Sequence, residues 1–274
     1  MSEKEKGTNN SRFREIISVL RKHNITRGLS PKKLRLIMED LGPTFVKIGQ
    51  IMALHSDILP KAYCDELMEL CTDARPMPFE EAVSVIDESY GRSWKKVFAS
   101  IEETPIGSAS IAQVHRAVLK SGEEVVVKIQ RKGIYEMMAR DIDFIRKAIK
   151  LMPPISLKGM ADFDLVLDEL WSVTRDEMNF LTEASNIEEF ARRNKDVNFV
   201  QTPVLYQQYT TVHVLVMEYI DGCGIDEKDK LLEDGYDLKE IGSKLVDNYI
   251  KQVMDDGFFH ADPHSGNVKI RDGK

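Results

Sequence analysis

The sequence predicts an α+β fold, and three observations lead there. Residues 13–91 carry apolar residues at helical spacing with no clear strand. Residues 104–130 then turn rich in small and β-branched residues. Long helical stretches and further strand patterns follow. The balance is globular, with 42% hydrophobic and 30% charged residues among 274. Lys plus Arg number 38 and Asp plus Glu 45, a net charge of −7, which disfavours nonspecific nucleic-acid binding. Three cysteines, Cys64, Cys71 and Cys223, have no metal-type spacing and predict a reduced, cytosolic chain rather than a disulfide framework. No secretory signal and no run of ~18 apolar residues is visible.

The elements follow in order. Residues 1–11 read as a disordered polar tail. Phe13, Ile16, Ile17 and Leu20 predict a first helix ending near His23. Ser30-Pro31 is an N-cap followed by proline at the first helical position, predicting a helix to about Leu41. Gly42-Pro43 ends it. Helices are predicted over Thr44–His55, Lys61–Thr72 and Phe79–Ser89, with a linker at 74–78. Ser121-Gly122 predicts a hairpin turn before the strand EVVVKIQ, Glu124–Gln130. Helical stretches are predicted over 134–151 and 162–194, and paired strands over 201–206 and 212–217. A helix over 238–255 precedes a loop, a short strand and a turn.

Two local patterns carry chemistry. In His260-Ala-Asp262-Pro-His264-Ser-Gly-Asn267 an aspartate precedes an asparagine by five residues, with a histidine two before the aspartate. A kinase catalytic loop uses that spacing to accept a hydroxyl proton and hold Mg²⁺. The residues alone also fit a polar turn without chemistry, or a transition-metal site of His260, Asp262 and His264. His23, His55, His115 and His213 offer no second metal-spaced pair. The second pattern is Lys128 after three valines. A lysine in a strand either grips phosphate beside a carboxylate or is an edge residue facing water. One hairpin upstream, Gly107, Ser108, Ala109 and Ser110 form a small-residue loop whose backbone N–H groups could approach phosphate.

The chain resembles the UbiB/ABC1/ADCK family of atypical protein-kinase-like proteins. The matching stretches are LGPTFVKIGQ (41–50), SDILP (56–60), PIGSASIAQVHRA (105–117), EVVVKIQRKGI (124–134), EMNFLTEASN (177–186), TPVLY (202–206), VLVMEYIDG (214–222) and GFFHADPHSGN (257–267). The resemblance implies a protein-kinase-like fold with a helical K-x-G-Q extension at 12–91, an N-lobe at 92–222 and the start of a C-lobe at 223–274. It implies ATP or ADP and Mg²⁺ as cofactors. Asp262, Lys128, Glu183 and Asn267 would be catalytic, and Asn267 a metal ligand. Gly107, Ser108, Ala109, Ser110, Lys128, Glu218, Tyr219, Lys47, Gln50 and Glu177 would bind the cofactor. Without it, Lys47, Gln50 and Glu177 read as solvated helix faces.

The family's E-x-D motif falls on Glu177-Met-Asn179, with asparagine in place of the second acid. Gly107 and Ser108 stand where its alanine-rich loop usually has alanine. The resemblance implies an ATP-dependent kinase or ATPase supporting isoprenoid-quinone lipid biosynthesis, or alternatively a non-catalytic nucleotide-binding regulator. Lipid and quinone-biosynthesis enzymes at a membrane surface are the implied partners, and the implied location is cytoplasmic and peripheral at the membrane. The D-F-G aspartate is expected after the hairpin at Arg271–Lys274, where the sequence stops. The sequence as read is therefore expected to be a fragment or truncated product that binds nucleotide weakly, if at all, and does not turn it over at a useful rate.

Overall fold

The computed structural model describes residues 3–54, 56, 59–70, 75–150, 163–261 and 265–274. Its first part is helical: α1 (Glu3–Lys22), α2 (Pro31–Leu41), α3 (Pro43–Ala53), α4 (Lys61–Leu67) and α5 (Phe79–Tyr90). Helix α1 begins at Glu3, so the expected polar tail over 1–11 is corrected. Its Glu-Lys-Glu-Lys start consists of good helix formers that extend a helix already nucleated downstream. Ser30 caps α2 by accepting a hydrogen bond from the Lys33 N–H at 3.3 Å. Gly91, at φ 61°, ends α5 in the left-handed region that glycine tolerates. Helix α4 ends at Leu67, short of the expected Thr72, which lies outside the described residues along with Cys71.

The sheet consists of β1 (Phe98–Ile101), β2 (Gly107–Ser108), β3 (Ala112–Leu119), β4 (Glu124–Gln130) and β5 (Val214–Glu218). Its order is β1-β3-β4-β5, with β2 also pairing β3, and every pairing is antiparallel. Period-two alternation sorts the two faces. Val125, Val127 and Ile129 of β4 join Val214, Val216, Phe98 and Ile86 in one core under α5. Val126 and Lys128 face the opposite side. A one-residue slip would send Lys128 into that core and the valines out, so the pattern dictates the register.

Helices α6 (Ile134–Lys150), α7 (Phe163–Glu177) and α8 (Phe180–Asn194) follow β4. The single stretch expected over 162–194 is two helices. Asn179 ends one and caps the next, its Oδ1 accepting from the Leu181 N–H at 3.1 Å. The break is satisfied by tertiary partners: Gln130 Nε2 donates to the Met178 carbonyl at 2.7 Å, and the Phe180 N–H to the Val212 carbonyl at 3.1 Å. Residues 201–206 do not form the expected strand. They contact β5 through one bridge, Leu205 to Met217, because Pro203 cannot donate to a ladder. The last elements are β6 (Cys223–Gly224), α9 (Lys228–Glu233), α10 (Leu238–Lys251), a π-turn at Gln252–Asp256 and β7 (Lys269–Ile270), which pairs with β6. Helix α10 leaves Val246 and Ile250 exposed, and the π-turn leaves Met254 exposed.

The helical part packs on α6 and α7 through Met38, Ile48, Leu67, Leu70, Ile142 and Leu170. Gly49 is central to this contact, since a Cβ there would collide with the Leu70 and Met38 side chains. A buried ion pair adds direction. Arg12 grips Asp141 of α6 with two hydrogen bonds, at 2.8 and 2.7 Å, and Thr44 Oγ1 donates to the same carboxylate at 2.8 Å.

A second buried polar group joins the linker to the sheet. His115 is fully buried; its Nδ1 lies 2.7 Å from the Glu102 carbonyl and its Nε2 2.7 Å from Gln113 Nε2. The carbonyl requires Nδ1 to donate and the amide requires Nε2 to accept, which selects the neutral imidazole. Gln113 Oε1 in turn accepts from the Met77 N–H at 2.9 Å. Burial pushes the His115 pKa below the ordinary 6.5. Below pH 6.5 the unfolded chain takes up this proton more readily than the folded one, so stability falls with falling pH. Urea unfolding from pH 7.5 to 5 is expected to show this slope, and His115→Asn to flatten it. An unchanged slope would remove His115 as its source.

Candidate active site

Strand β4 places Lys128 on the face opposite the α5 core, two residues beyond Val126. Helix α8 passes below that face, with Phe180 and Ala184 buried against Ala112 and Leu215. Because its cap is Asn179, Glu183 falls in its first turn and rises toward Lys128. Lys128 Nζ donates to both Glu183 oxygens, at 2.9 and 2.7 Å, and lies 5.0 Å from the centre of the Phe180 ring. The lysine side chain is 25% exposed and the glutamate 34%. A cation held in this way keeps one N–H bond and open surface for an incoming anion.

On the same sheet face is a cleft of about 370 Å³; Lys128 and Glu183 do not line it, but Val114, the cross-strand partner of Lys128, does. Ile106, Val114, Val126 and Met217 line it with apolar surface; Glu218, Tyr219 and Ile220 form one edge; Gly266, Asn267, Lys269 and Arg271 close the far side. It is thus apolar at the sheet and polar opposite, a form suited to a flat heterocycle with a charged tail. The Glu218 carboxylate is engaged by Arg271 at 2.8 Å and the Val204 N–H at 3.1 Å, which ties the edge strand to the final turn. The Tyr219 ring lies between two cations, Arg116 at 4.3 Å and Lys269 at 5.5 Å from its centre.

The small-residue loop lies next to Ile106. Gly107 and Ser108 form β2, and the Ala109 N–H donates to the Ala112 carbonyl at 2.8 Å. A Cβ at Gly107 would meet open space, so the alanine of the resembled family would fit there. Ser110 is half-buried beside it. Arg131, a residue the motifs did not single out, holds this loop. Its guanidinium donates to the Ala109 carbonyl and Ser108 Oγ, both at 2.8 Å, and to the Arg75 carbonyl of the linker at 2.9 Å. An arginine just after a strand carries no spacing signal, so only the fold reveals it.

Lys47 meets Glu177 at the end of α7, with its Nζ 2.8 and 2.7 Å from the two carboxylate oxygens. Glu177 and Glu183 are on different helices, and each holds its own lysine. Met178, whose carbonyl is bound by Gln130 of β4, stands between them in sequence, so the Lys47 pair adjoins the strand that carries Lys128. Gln50 is half-buried one turn along α3 and makes no polar contact with the Lys47–Glu177 pair. Asn179 spends its side-chain oxygen on the α8 cap. Asp262 and His264 lie outside the described residues, as does most of the alternative metal set. Among the described residues no group of three or more His, Cys, Asp or Glu could hold a metal ion.

Comparison with known proteins agrees with this geometry. Residues 69–274 match the model of the ABC1 atypical kinase-like domain. An uncharacterized protein in the hydrogenase 1 5′ region of Clostridium pasteurianum is 45% identical over 89% of this chain and 46% of its own length. The Arabidopsis thaliana chloroplastic protein Activity of BC1 complex kinase 8 is 39% identical over 93% of this chain and 33% of its own. A probable protein kinase UbiB of Pseudomonas paraeruginosa is 37% identical over 91% and 46%. The chain thus spans between a third and a half of the length of these relatives. Rv3197 of Mycobacterium tuberculosis, solved in complex with erythromycin, superposes with a TM-score of 0.60 at 28% identity, covering 82% of this chain and 56% of that one. The lysine–glutamate pair, the helical extension and these matches converge: the chain belongs to the ABC1 atypical kinase-like family.

Proposed function

We propose that the cleft binds ATP with Mg²⁺, and that the protein to which this chain belongs acts as an atypical kinase or ATPase in isoprenoid-quinone lipid biosynthesis. The observation that carries the nucleotide reading is the Lys128–Glu183 pair on the sheet face that carries an apolar-walled cleft of about 370 Å³. Glu183 orients the lysine, and Lys128 neutralises phosphate oxygens. Val114, Val126 and Met217 exclude water from the base. Asp262, by its spacing, would accept the proton of the attacking hydroxyl. Mg²⁺ takes few protein oxygens and keeps waters and phosphate oxygens as its other ligands. The Asn267 amide on the cleft wall fits that demand as one ligand. When bound, the ion neutralises charge on the transferred phosphate.

The quinone assignment is supported by kinship to the UbiB relative, and a lipid or quinone-pathway partner at a membrane surface goes with it. Among the described residues no helix is long and apolar enough to cross a membrane, so contact with a bilayer would be peripheral for this part of the protein.

The test is thermal unfolding of the chain with ATP, with and without Mg²⁺. Ligand at about 100 times its Kd is expected to stabilise by about 2.7 kcal/mol, with a larger shift when Mg²⁺ is present. No shift at millimolar ATP would overturn the reading. Phosphate release by the wild type and by Asp262→Asn then separates an enzyme from a regulator: equal release by both favours the non-catalytic reading.

A further inference from the structure

A ladder of buried side-chain amides runs from the end of α8 to the loop that bears Asp262 and Asn267. Asn194 on α8, Asn248 on α10 and Gln252 at the start of the π-turn are 4, 6 and 5% exposed. Gln252 Oε1 accepts the His260 N–H at 3.0 Å. Gln252 Nε2 donates to Asn248 Oδ1 at 2.6 Å, Asn248 Nδ2 donates to Asn194 Oδ1 at 2.7 Å, and Asn194 Nδ2 donates to the Phe190 carbonyl at 3.0 Å.

The direction is set at both ends. A backbone N–H at His260 can only donate, and a carbonyl at Phe190 can only accept, so each amide between them has one permitted orientation. The turn itself is unusual. A π-turn ends α10 where Gln252 reaches back to the loop. The His260 peptide is held from its other side too, its carbonyl accepting from Tyr249 Oη at 3.3 Å. None of this is needed to bury apolar surface. A buried amide chain costs desolvation at every link, and it specifies a single arrangement when every link is made.

The geometry points to Gln252 as a positioning residue for the backbone at His260, which it holds at a fixed height relative to α8 and therefore to Glu183. This rests on the nucleotide reading above. The loop would supply Asp262 and Asn267 to the Mg²⁺–phosphate end of the ligand, while Lys128 and Glu183 grip it from the sheet. Gln252 touches neither ligand nor metal; it acts through the backbone two residues before Asp262.

The test compares Gln252→Met, which keeps the volume but cannot accept the His260 N–H, with Gln252→Glu, whose buried carboxyl in its neutral form accepts it and still donates to Asn248 Oδ1. Hydrogen exchange is read on the apo chain over segments 257–261 and 124–130, and ATP affinity is read with and without Mg²⁺. Gln252→Met is expected to speed exchange in 257–261 at least tenfold, to leave 124–130 unchanged, and to lose at least tenfold of the Mg²⁺-dependent part of ATP affinity. Mg²⁺-free affinity, which depends on Lys128, should stay within twofold. Gln252→Glu is expected to restore slow exchange at 257–261. Should Gln252→Met lose protection throughout, the same readings are taken on Gln252→Ala. Unchanged exchange at 257–261, unchanged Mg²⁺-dependent affinity, or a Glu variant as impaired there as the Met variant would overturn the assignment. Absence of ATP binding by the wild-type chain would instead overturn the nucleotide reading, and this inference with it.

Discussion

Replacing Glu183 with alanine is expected to reduce Mg²⁺-ATP affinity or turnover by on the order of 10²–10³, the usual effect of deleting one electrostatic element of a phosphate-handling site. The glutamate does two things in the structure. It holds the ammonium with two hydrogen bonds, and it fixes Lys128 on the sheet face that carries the cleft. Lys128→Met should produce a loss of the same order, because it removes the charge that meets phosphate. Lys128→Arg should not rescue, since a planar fork cannot occupy the place of a point charge above Phe180. The stability cost should be small, below about 1 kcal/mol, because both partners are a quarter to a third exposed. Titration of ATP and urea unfolding of the same variants separate the two effects. An intact affinity in Glu183→Ala would show that the pair is structural.

The largest stability effect is expected from Asp141→Ala, a loss of about 3–5 kcal/mol. The Asp141 side chain is 1% exposed and receives Arg12 twice and Thr44 once. Its removal leaves a guanidinium that is 20% exposed and held only by the Leu41 carbonyl at 2.8 Å and by the exposed Glu15 carboxylate at 2.9 Å. These partners come from α1, α3 and α6, so the loss should loosen the seat of α3 and with it the Lys47–Glu177 pair. Asp141→Asn keeps the shape and one acceptor, and should lose less. Urea unfolding measures both; a loss under about 1 kcal/mol for the alanine variant would mean that packing through Met38, Ile48 and Leu67 alone seats the extension.

Much of the site was legible before any coordinates. The V-V-V-K strand is a local pattern, while the pairs Lys128–Glu183 and Lys47–Glu177 join residues that the family resemblance implies and that would otherwise read as solvated helix faces or an edge lysine. Capping was legible as well: Ser30-Pro31 marks the start of α2. The break between α7 and α8 was not, because Asn179 can stand in a helix or cap one. The choice falls to Gln130 and Val212, which capture the Met178 carbonyl and the Phe180 N–H from distant strands. Arg131 and the Asn194–Asn248–Gln252 ladder went unseen for a related reason. A polar residue on a helix or after a strand reads as solvated until its burial is known.

Local chemistry alone therefore determined most element positions and the register of β4, because caps, turns and period-two burial act over a few residues. The tertiary structure alone decided where the long helix divides, which arginine ties down the small-residue loop, and that three scattered amides form one directed chain. Each depends on the cost of leaving a buried donor or acceptor unpaired. That cost exists only once the fold has removed water from groups far apart in the sequence.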